Sequence, residues 1–236
     1  MSYELYNKLK RFGRVRLNVL LAKLSNFKIG GPADIVIQVT ATEKLVALLN
    51  YLSGEGVEFF ILGGGSNVLL PDEGFQGVVV KVESRKSKVE GRRIEVEAGM
   101  DLGQLVQLSV ENNLAGLEWA AGIPGTVGGA IRGNAGAHYA FTGGEIKDSL
   151  QTVEVWRDGE VVQLVPDDCR FGYRDSIFKH HPDVILSACF NLQSGDDQES
   201  LLMTQKIIAE RKGKQSSLPF AGSFFKNRGS KSDWKF

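Results

Sequence analysis

Residues 57–68 read Val57-Glu58-Phe59-Phe60-Ile61-Leu62-Gly63-Gly64-Gly65-Ser66-Asn67-Val68, and the fold turns on how they are read. A buried strand, Val57 to Leu62, runs straight into three glycines and two side chains that can hydrogen-bond. Residues without a Cβ let successive backbone N–H groups turn toward one point, a nest suited to phosphate oxygens. Glycine clusters are also plain turns and close packing, and for one Gly-Gly-Gly alone turn chemistry comes first. A second loop moves the balance toward phosphate. It runs Ala121-Gly122-Ile123-Pro124-Gly125-Thr126-Val127-Gly128-Gly129-Ala130 and continues to Asn134-Ala135-Gly136-Ala137. Both loops follow apolar segments and both contain Asn. Arg132 is the only cation inside them, which favours a diphosphate held by backbone groups over one clamped by charge. Gly64 and Gly128 are expected at positive φ, where a β-branched residue is rejected.

Working outward, several nucleotide and catalytic signatures fail. There is no G-x-x-x-x-G-K-[ST], and Val68 breaks the G-x-G-x-x-G of a Rossmann domain. No H-E-x-x-H occurs, and His138, His180 and His181 have too few companion ligands for zinc, so no metal site is expected. No G-x-S-x-G elbow is present.

The surrounding pattern is α+β. Leu5, Leu9 and Phe12 recur at helical spacing, with Gly13 able to close the helix. After the Gly30-Gly31-Pro32 corner, Asp34 to Val39 reads as a strand. Thr40 and Glu43 suggest a capping box for a helix burying Leu45, Leu48, Leu49 and Leu52, stopped by Gly54. Gly77 to Val82 is a short apolar strand. A charged bridge, Glu83 to Arg93, then separates a first lobe (26–83) from a second (84–193). In the second, Ile94 to Ala98 alternates like a half-exposed strand. Asp101 and Gln104 cap a helix with Leu102, Leu105, Val106 and Leu108. Asp158-Gly159 joins Leu150–Trp156 to Glu160–Val165 as a hairpin. Asp183 to Leu192 is a further strand. Residues 197–212 read as a helix with Leu201, Leu202, Gln205 and Ile208 on one side. Phe224-Phe225 suggests a strand that expects partners, and the last nine residues read as a frayed end.

Composition agrees with a folded, neutral protein. The chain has 236 residues, 28 Lys+Arg against 28 Asp+Glu, 42% hydrophobic and 24% charged residues. Zero net charge argues against a nucleic-acid binder or polybasic membrane module. No apolar run is long enough to span a bilayer, and the start lacks a signal peptide's apolar core. Two cysteines make no disulfide framework, so a reduced, cytoplasmic location is expected; a monomer is also expected. The 28 glycines against 6 prolines are the outlier, and their densest runs lie in the two loops.

Six segments together resemble one family. They are Phe27-Lys28-Ile29-Gly30-Gly31-Pro32-Ala33, the two glycine loops with Asn134 to Ala137, Tyr173-Arg174-Asp175-Ser176, and Ala221-Gly222-Ser223-Phe224-Phe225-Lys226-Asn227. Their order and spacing over residues 26–227 resemble the UDP-N-acetylenolpyruvoylglucosamine reductase (MurB) family. The resemblance implies a two-lobed FAD-binding domain of the vanillyl-alcohol oxidase (PCMH) type over 26–193. Residues 1–25 form a helix and lead-in, and 197–236 begin an incomplete α/β substrate-binding domain. It further implies FAD as cofactor, NADPH as hydride donor and a UDP-sugar as substrate, reduced from UDP-N-acetylglucosamine-enolpyruvate to UDP-N-acetylmuramate.

The same resemblance assigns residues. Gly63, Gly64, Gly65, Ser66, Asn67, Ala121, Gly122, Ile123, Pro124, Gly125, Thr126, Gly128, Gly129, Asn134, Ala135 and Gly136 would hold the cofactor. Arg174 would stabilise charge on the substrate carboxylate, and Ser223 would donate the proton. Tyr173, Lys226 and Asn227 would meet the substrate. From spacing alone, an ion pair with Asp175 or Asp168 is the favoured reading of Arg174 and a turn hydroxyl the strongly favoured reading of Ser223, while Lys226 and Asn227 could simply be exposed. Arg228 stands where the family has proline, and the family's second acid, a C-terminal glutamate, has no counterpart, so a C-terminally truncated reductase is expected. The alternatives are another flavin oxidoreductase of this fold, or a remnant that binds FAD without turnover.

Overall fold

The structure is a computed structural model and describes residues 3–214, 218–223 and 226. The first lobe contains α1 (Tyr3–Leu9), β1 (Arg14–Leu20), β2 (Pro32–Val39), α2 (Thr42–Gly54), β3 (Phe59–Leu62) and β4 (Phe75–Val82). Its sheet runs β1-β2-β4-β3, with β2, β4 and β3 mutually parallel and β1 antiparallel on the edge. The three parallel strands therefore end on one side, and the first glycine loop leaves from that side at Leu62. β4 is covered on both faces: Val78 and Val80 join the core under α2, while Val79 joins Leu21, Val36, Leu62 and Leu70 opposite. That double burial is why the strand reads as continuous valine instead of alternating.

Two sequence expectations change here. Arg14–Leu20, set outside the lobe as lead-in, is its edge strand; being largely exposed, it lacked a buried stripe to reveal it. The Thr40–Glu43 capping box does not form. Ala41 is the N-cap, without a side-chain hydrogen bond. The start of α2 instead faces the second lobe: the Thr42 hydroxyl donates to Glu97 at 2.7 Å, and Glu43 lies 3.6 Å from the Lys86 ammonium.

The second lobe comprises β5 (Ser87–Glu90), β6 (Arg93–Glu97), α3 (Leu102–Glu111), β7 (Leu114–Ala115), α4 (Val127–Gly133), β8 (Gly136–His138), β9 (Gly143–Glu145), β10 (Leu150–Arg157), β11 (Glu160–Leu164), β12 (Val184–Asn191), β13 (Gln193–Ser194) and α5 (Asp197–Lys214). Its main sheet is antiparallel in the order β11-β10-β12-β6-β5. One face packs on α3 and α4 around Phe178, Phe190 and Ile131. The β10–β11 turn has Asp158 at φ 51° and Gly159 at φ 94°, the paired positive values of a tight hairpin. Asp101 caps α3 as expected, accepting from the Gly103 and Gln104 N–H groups at 2.8 and 3.3 Å. Trp156, Val184 and Leu186 of this lobe share a core with α2, and the Trp156 indole donates to Asn50 at 2.6 Å.

Three further differences have physical reasons. The charged bridge 83–93 contains an edge strand, β5, whose mostly exposed residues give no alternation to read. The second glycine loop contains α4, a helix that forms by packing and by its Thr126 cap despite a sequence propensity against it. In α5 the buried residues are Ser200, Thr204 and Ile207, while Leu201, Leu202 and Ile208 face outward. The Ser200 hydroxyl donates to buried Glu118 at 2.7 Å, which fixes the inward face on a polar contact that hydrophobicity does not report.

Candidate functional site

The first glycine loop, 63–67, is a run of bends held from behind. Gly65 sits at φ 68°, and a Cβ there would lie 2.1 Å from the Leu24 carbonyl oxygen. Its carbonyl accepts from the Asn26 N–H at 2.9 Å, and the Asn26 amide donates to Ser66 Oγ at 3.0 Å. The N–H groups of Gly64, Gly65, Ser66 and Asn67 donate to no described residue. Gly65 is buried, Gly64 and Ser66 are half-buried and Asn67 is exposed; clustered donors that the fold does not use suit an anion.

The second loop closes against the first. A Cβ on Gly63 would lie 2.4 Å from Thr126 Oγ1, and one on Gly64 would lie 2.7 Å from Gly125 Cα. Its own amides are mostly spent internally. Val127 N–H donates to Met100 and Gly128 N–H to Ala98, both at 2.9 Å, and Gly129 N–H to Thr126 Oγ1 at 3.3 Å. Ala121 and Ile123 N–H donate to Glu118 and Ala120. Gly122 and Gly125 have positive φ, but Gly64 and Gly128 do not. Those two are glycines for space: a Cβ on Gly128 would meet Ala98 Cβ at 2.9 Å.

Asn134 ends α4 at φ 40° and is fully buried. Its side chain donates to Glu145 at 3.0 Å and to the Gly172 carbonyl at 2.9 Å, so it braces the site from inside. Gly172 and Asp175 exchange backbone hydrogen bonds at 3.0 and 3.1 Å, leaving Tyr173 and Arg174 at the tip of a two-residue turn. Arg174 occupies left-handed backbone at φ 53°, uncommon for a side chain this large. Its guanidinium donates to the Asn134 carbonyl at 3.4 Å and to the Gly136 carbonyl, lies 3.6 Å from Glu145 and sits over the half-exposed Tyr173 ring. The ion pair that spacing suggested with Asp175 or Asp168 is therefore replaced by one with Glu145. Ala135 and Gly136 flank this bracket, and the Ala135 N–H donates to Ala130.

Asp175 has other partners. It lies 3.1 Å from Lys226 and 3.0 Å from His180. Lys226 first, then His180, holds its carboxyl at about 2, well below the ordinary range. The Asn67 amide donates to the Ala221 carbonyl at 2.7 Å. Ala221 is thus tied to the first glycine loop and Lys226 to the Arg174 turn. Exposed Ser223 lies between the ties, after Gly222 at φ 72°. Asn227, Phe224 and Phe225 lie outside the described residues.

Sequence reading missed the cations that reach these loops from elsewhere. Lys81 on β4 donates to the Gly63 carbonyl. Arg211 on α5 donates to the Gly122 carbonyl at 3.1 Å and to the Tyr139 hydroxyl at 3.2 Å. One signal was available: Val78-Val79-Val80-Lys81-Val82 puts a lysine in an otherwise apolar central strand, where a charge needs a partner. Arg211 gave none, since basic residues in the last turn of a helix are ordinary.

Free amides beside a glycine cradle, on a two-lobed α+β scaffold, make a candidate anion site, and the comparisons give the class of protein. A family model described as an FAD binding domain matches residues 33–164. UDP-N-acetylenolpyruvoylglucosamine reductase of Caldanaerobacter subterraneus subsp. tengcongensis is 39% identical over 232 residues, 96% of this chain and 76% of that protein. The enzyme of the same name from Carboxydothermus hydrogenoformans is 40% identical over 92% of this chain and 72% of its own length. The solved structure of UDP-N-acetylenolpyruvylglucosamine reductase (MurB) from Thermus caldophilus matches with TM-score 0.75 and 32% identity, over 91% of this chain and 76% of that one. The chain belongs to the UDP-N-acetylenolpyruvoylglucosamine reductase family.

Proposed function

We propose that this chain reduces UDP-N-acetylglucosamine-enolpyruvate to UDP-N-acetylmuramate, a step of peptidoglycan synthesis, with NADPH as hydride donor. The observation supporting the reading is that Ala221 is tied to Asn67 of the first glycine loop and Lys226 to Asp175 beside Arg174, with Ser223 between Ala221 and Lys226 in sequence. FAD, when bound, would supply the hydride relay between NADPH and the enolpyruvyl double bond.

The chain's own residues do the rest. The free N–H groups of Gly64 to Asn67, with Gly125 and Thr126 beside them, would hold the cofactor diphosphate. Hydride addition to the carbon β to the carboxylate leaves enolate charge on that carboxylate. A guanidinium placed there stabilises the transition state more than the ground state. Arg174 carries five donors, so its two carbonyl contacts leave a fork for the substrate. Glu145 and the two carbonyls orient it. The carbon α to the carboxylate then needs a proton, which Ser223 would give. Tyr173, Lys226 and Asn227 would grip the UDP-sugar. We also read the protein as a cytoplasmic monomer, the second point being open to light scattering. Among the described residues, no helix is long and apolar enough to cross a membrane.

The test separates the half-reactions. Under anaerobic conditions, NADPH should bleach the flavin of the wild type and of Ser223→Ala at equal rates. Reoxidation by the enolpyruvyl sugar should slow by about 10²–10⁴-fold in the variant, the usual contribution of a positioned acid. Equal reoxidation in both overturns the assignment of Ser223, and no reoxidation of the wild type by this sugar overturns the proposal that this chain turns it over.

A further inference from the structure

The geometry points to Lys81 as the positioning residue of the diphosphate loop, orienting the Gly63–Gly64 peptide through the Gly63 carbonyl and bringing the loop its positive charge. The inference rests on the reading of that loop as the FAD diphosphate cradle.

Lys81 lies on β4 in register with Leu62, the last strand residue before the loop. Its neighbours on both sides in sequence, Val80 and Val82, are buried in the first lobe's core. A lysine in such a strand is costly unless its ammonium finds oxygen. Here the ammonium emerges at the carboxyl ends of the parallel strands and donates to Gly63. Burial pushes its pKa down and Glu83 opposes this. Glu83 itself accepts from the Gln38 amide at 3.4 Å.

The consequence follows from the planar peptide. In a trans peptide the carbonyl and the next N–H point in opposite directions. Holding the Gly63 carbonyl down on Lys81 turns the Gly64 N–H away from the sheet. Gly63 cannot yield sideways, because Thr126 Oγ1 stands where its Cβ would be. Lys81 is therefore matched to a loop whose following donors, Gly64 to Asn67, have no described acceptor. A charge-assisted hydrogen bond at this point is stronger than a neutral one, and the same ammonium lowers the cost of bringing a diphosphate close.

The experiment is titration of deflavinated protein with FAD, followed by flavin fluorescence, at several ionic strengths. Lys81→Met and Lys81→Gln should keep the wild-type melting temperature as apoproteins and bind FAD about 10- to 100-fold more weakly, the loss expected of one charged hydrogen bond. Their affinity should also depend less on ionic strength, since one screened cation is gone. Lys81→Arg should recover most of the affinity. Unchanged affinity, weakened affinity with unchanged salt dependence, or equal loss in Lys81→Arg overturns the proposal. So does loss of the fold in both neutral variants, which would make the lysine a part of the sheet in general. Wild-type protein that takes up no FAD overturns the underlying cofactor reading, and this inference with it.

Discussion

The two glycine loops look alike in sequence and behave differently in space. The first, 63–67, leaves its N–H groups without acceptors among the described residues. The second spends the N–H groups of Val127, Gly128 and Gly129 on Met100, Ala98 and Thr126, and bolts α4 to the second lobe. Loop one presents donors, and loop two is mainly the wall they lie against. Glycine enrichment therefore marks close backbone approach in general. Only the fate of the N–H groups tells a ligand cradle from a packing surface.

The strongest way to break this contrast is a matched pair of substitutions. Gly64→Val puts a side chain into Gly125 at the seam between the loops, and it should abolish FAD retention, read as the flavin-to-protein absorbance ratio. Gly128→Val should instead cost about 1–3 kcal/mol of stability in chemical denaturation, the usual penalty of overpacking, because its clash is with Ala98 inside the lobe. A Gly64→Val protein that stays fully loaded would make loop one an ordinary turn.

Next in size is Arg174→Lys. Asn134 and Gly136 present their carbonyls to a planar fork, and a point charge cannot keep that bracket and a substrate carboxylate together. FAD should be retained, while reoxidation by the enolpyruvyl sugar slows about 10- to 100-fold in stopped flow. Reoxidation at the wild-type rate would assign Arg174 to structure.

The smallest effect concerns the tie at Asp175. Its folded-state pKa is depressed to about 2, so its contribution is present above the unfolded value of roughly 3.9 and is lost as pH falls toward 2. In acid titrations followed by circular dichroism, the stability advantage of wild type over Asp175→Asn should vanish across that window. The same variant should be cut by trypsin after Lys226 slightly faster at neutral pH, since the ion pair is partly exposed and weak. A constant difference down to pH 2 would remove the ion pair as the origin of the tie.

Cys169 offers a control away from both loops. Burial pushes its thiol up to about 11, so native protein should leave it unmodified by a thiol reagent under conditions that label it fully after denaturation.

The sequence on its own carried the strands that are buried on a face, the Asp101 cap, the Asp158-Gly159 hairpin and the buried stripe of α2. It also carried the motif set that links this chain to its family. Those features depend on neighbours a few positions apart, where periodicity and turn chemistry act. It could not show β1 and β5, whose exposed residues have no stripe, nor α4, whose glycines oppose helix. Nor could it show what surrounds the loops. The cations holding loop carbonyls come from 18 positions away for Lys81, 89 for Arg211 and 38 for Arg174 on Gly136. A hydrogen bond requires its partners within about 3 Å whatever their separation along the chain. Which charge meets which carbonyl was therefore decided only by the packing of distant segments within each lobe.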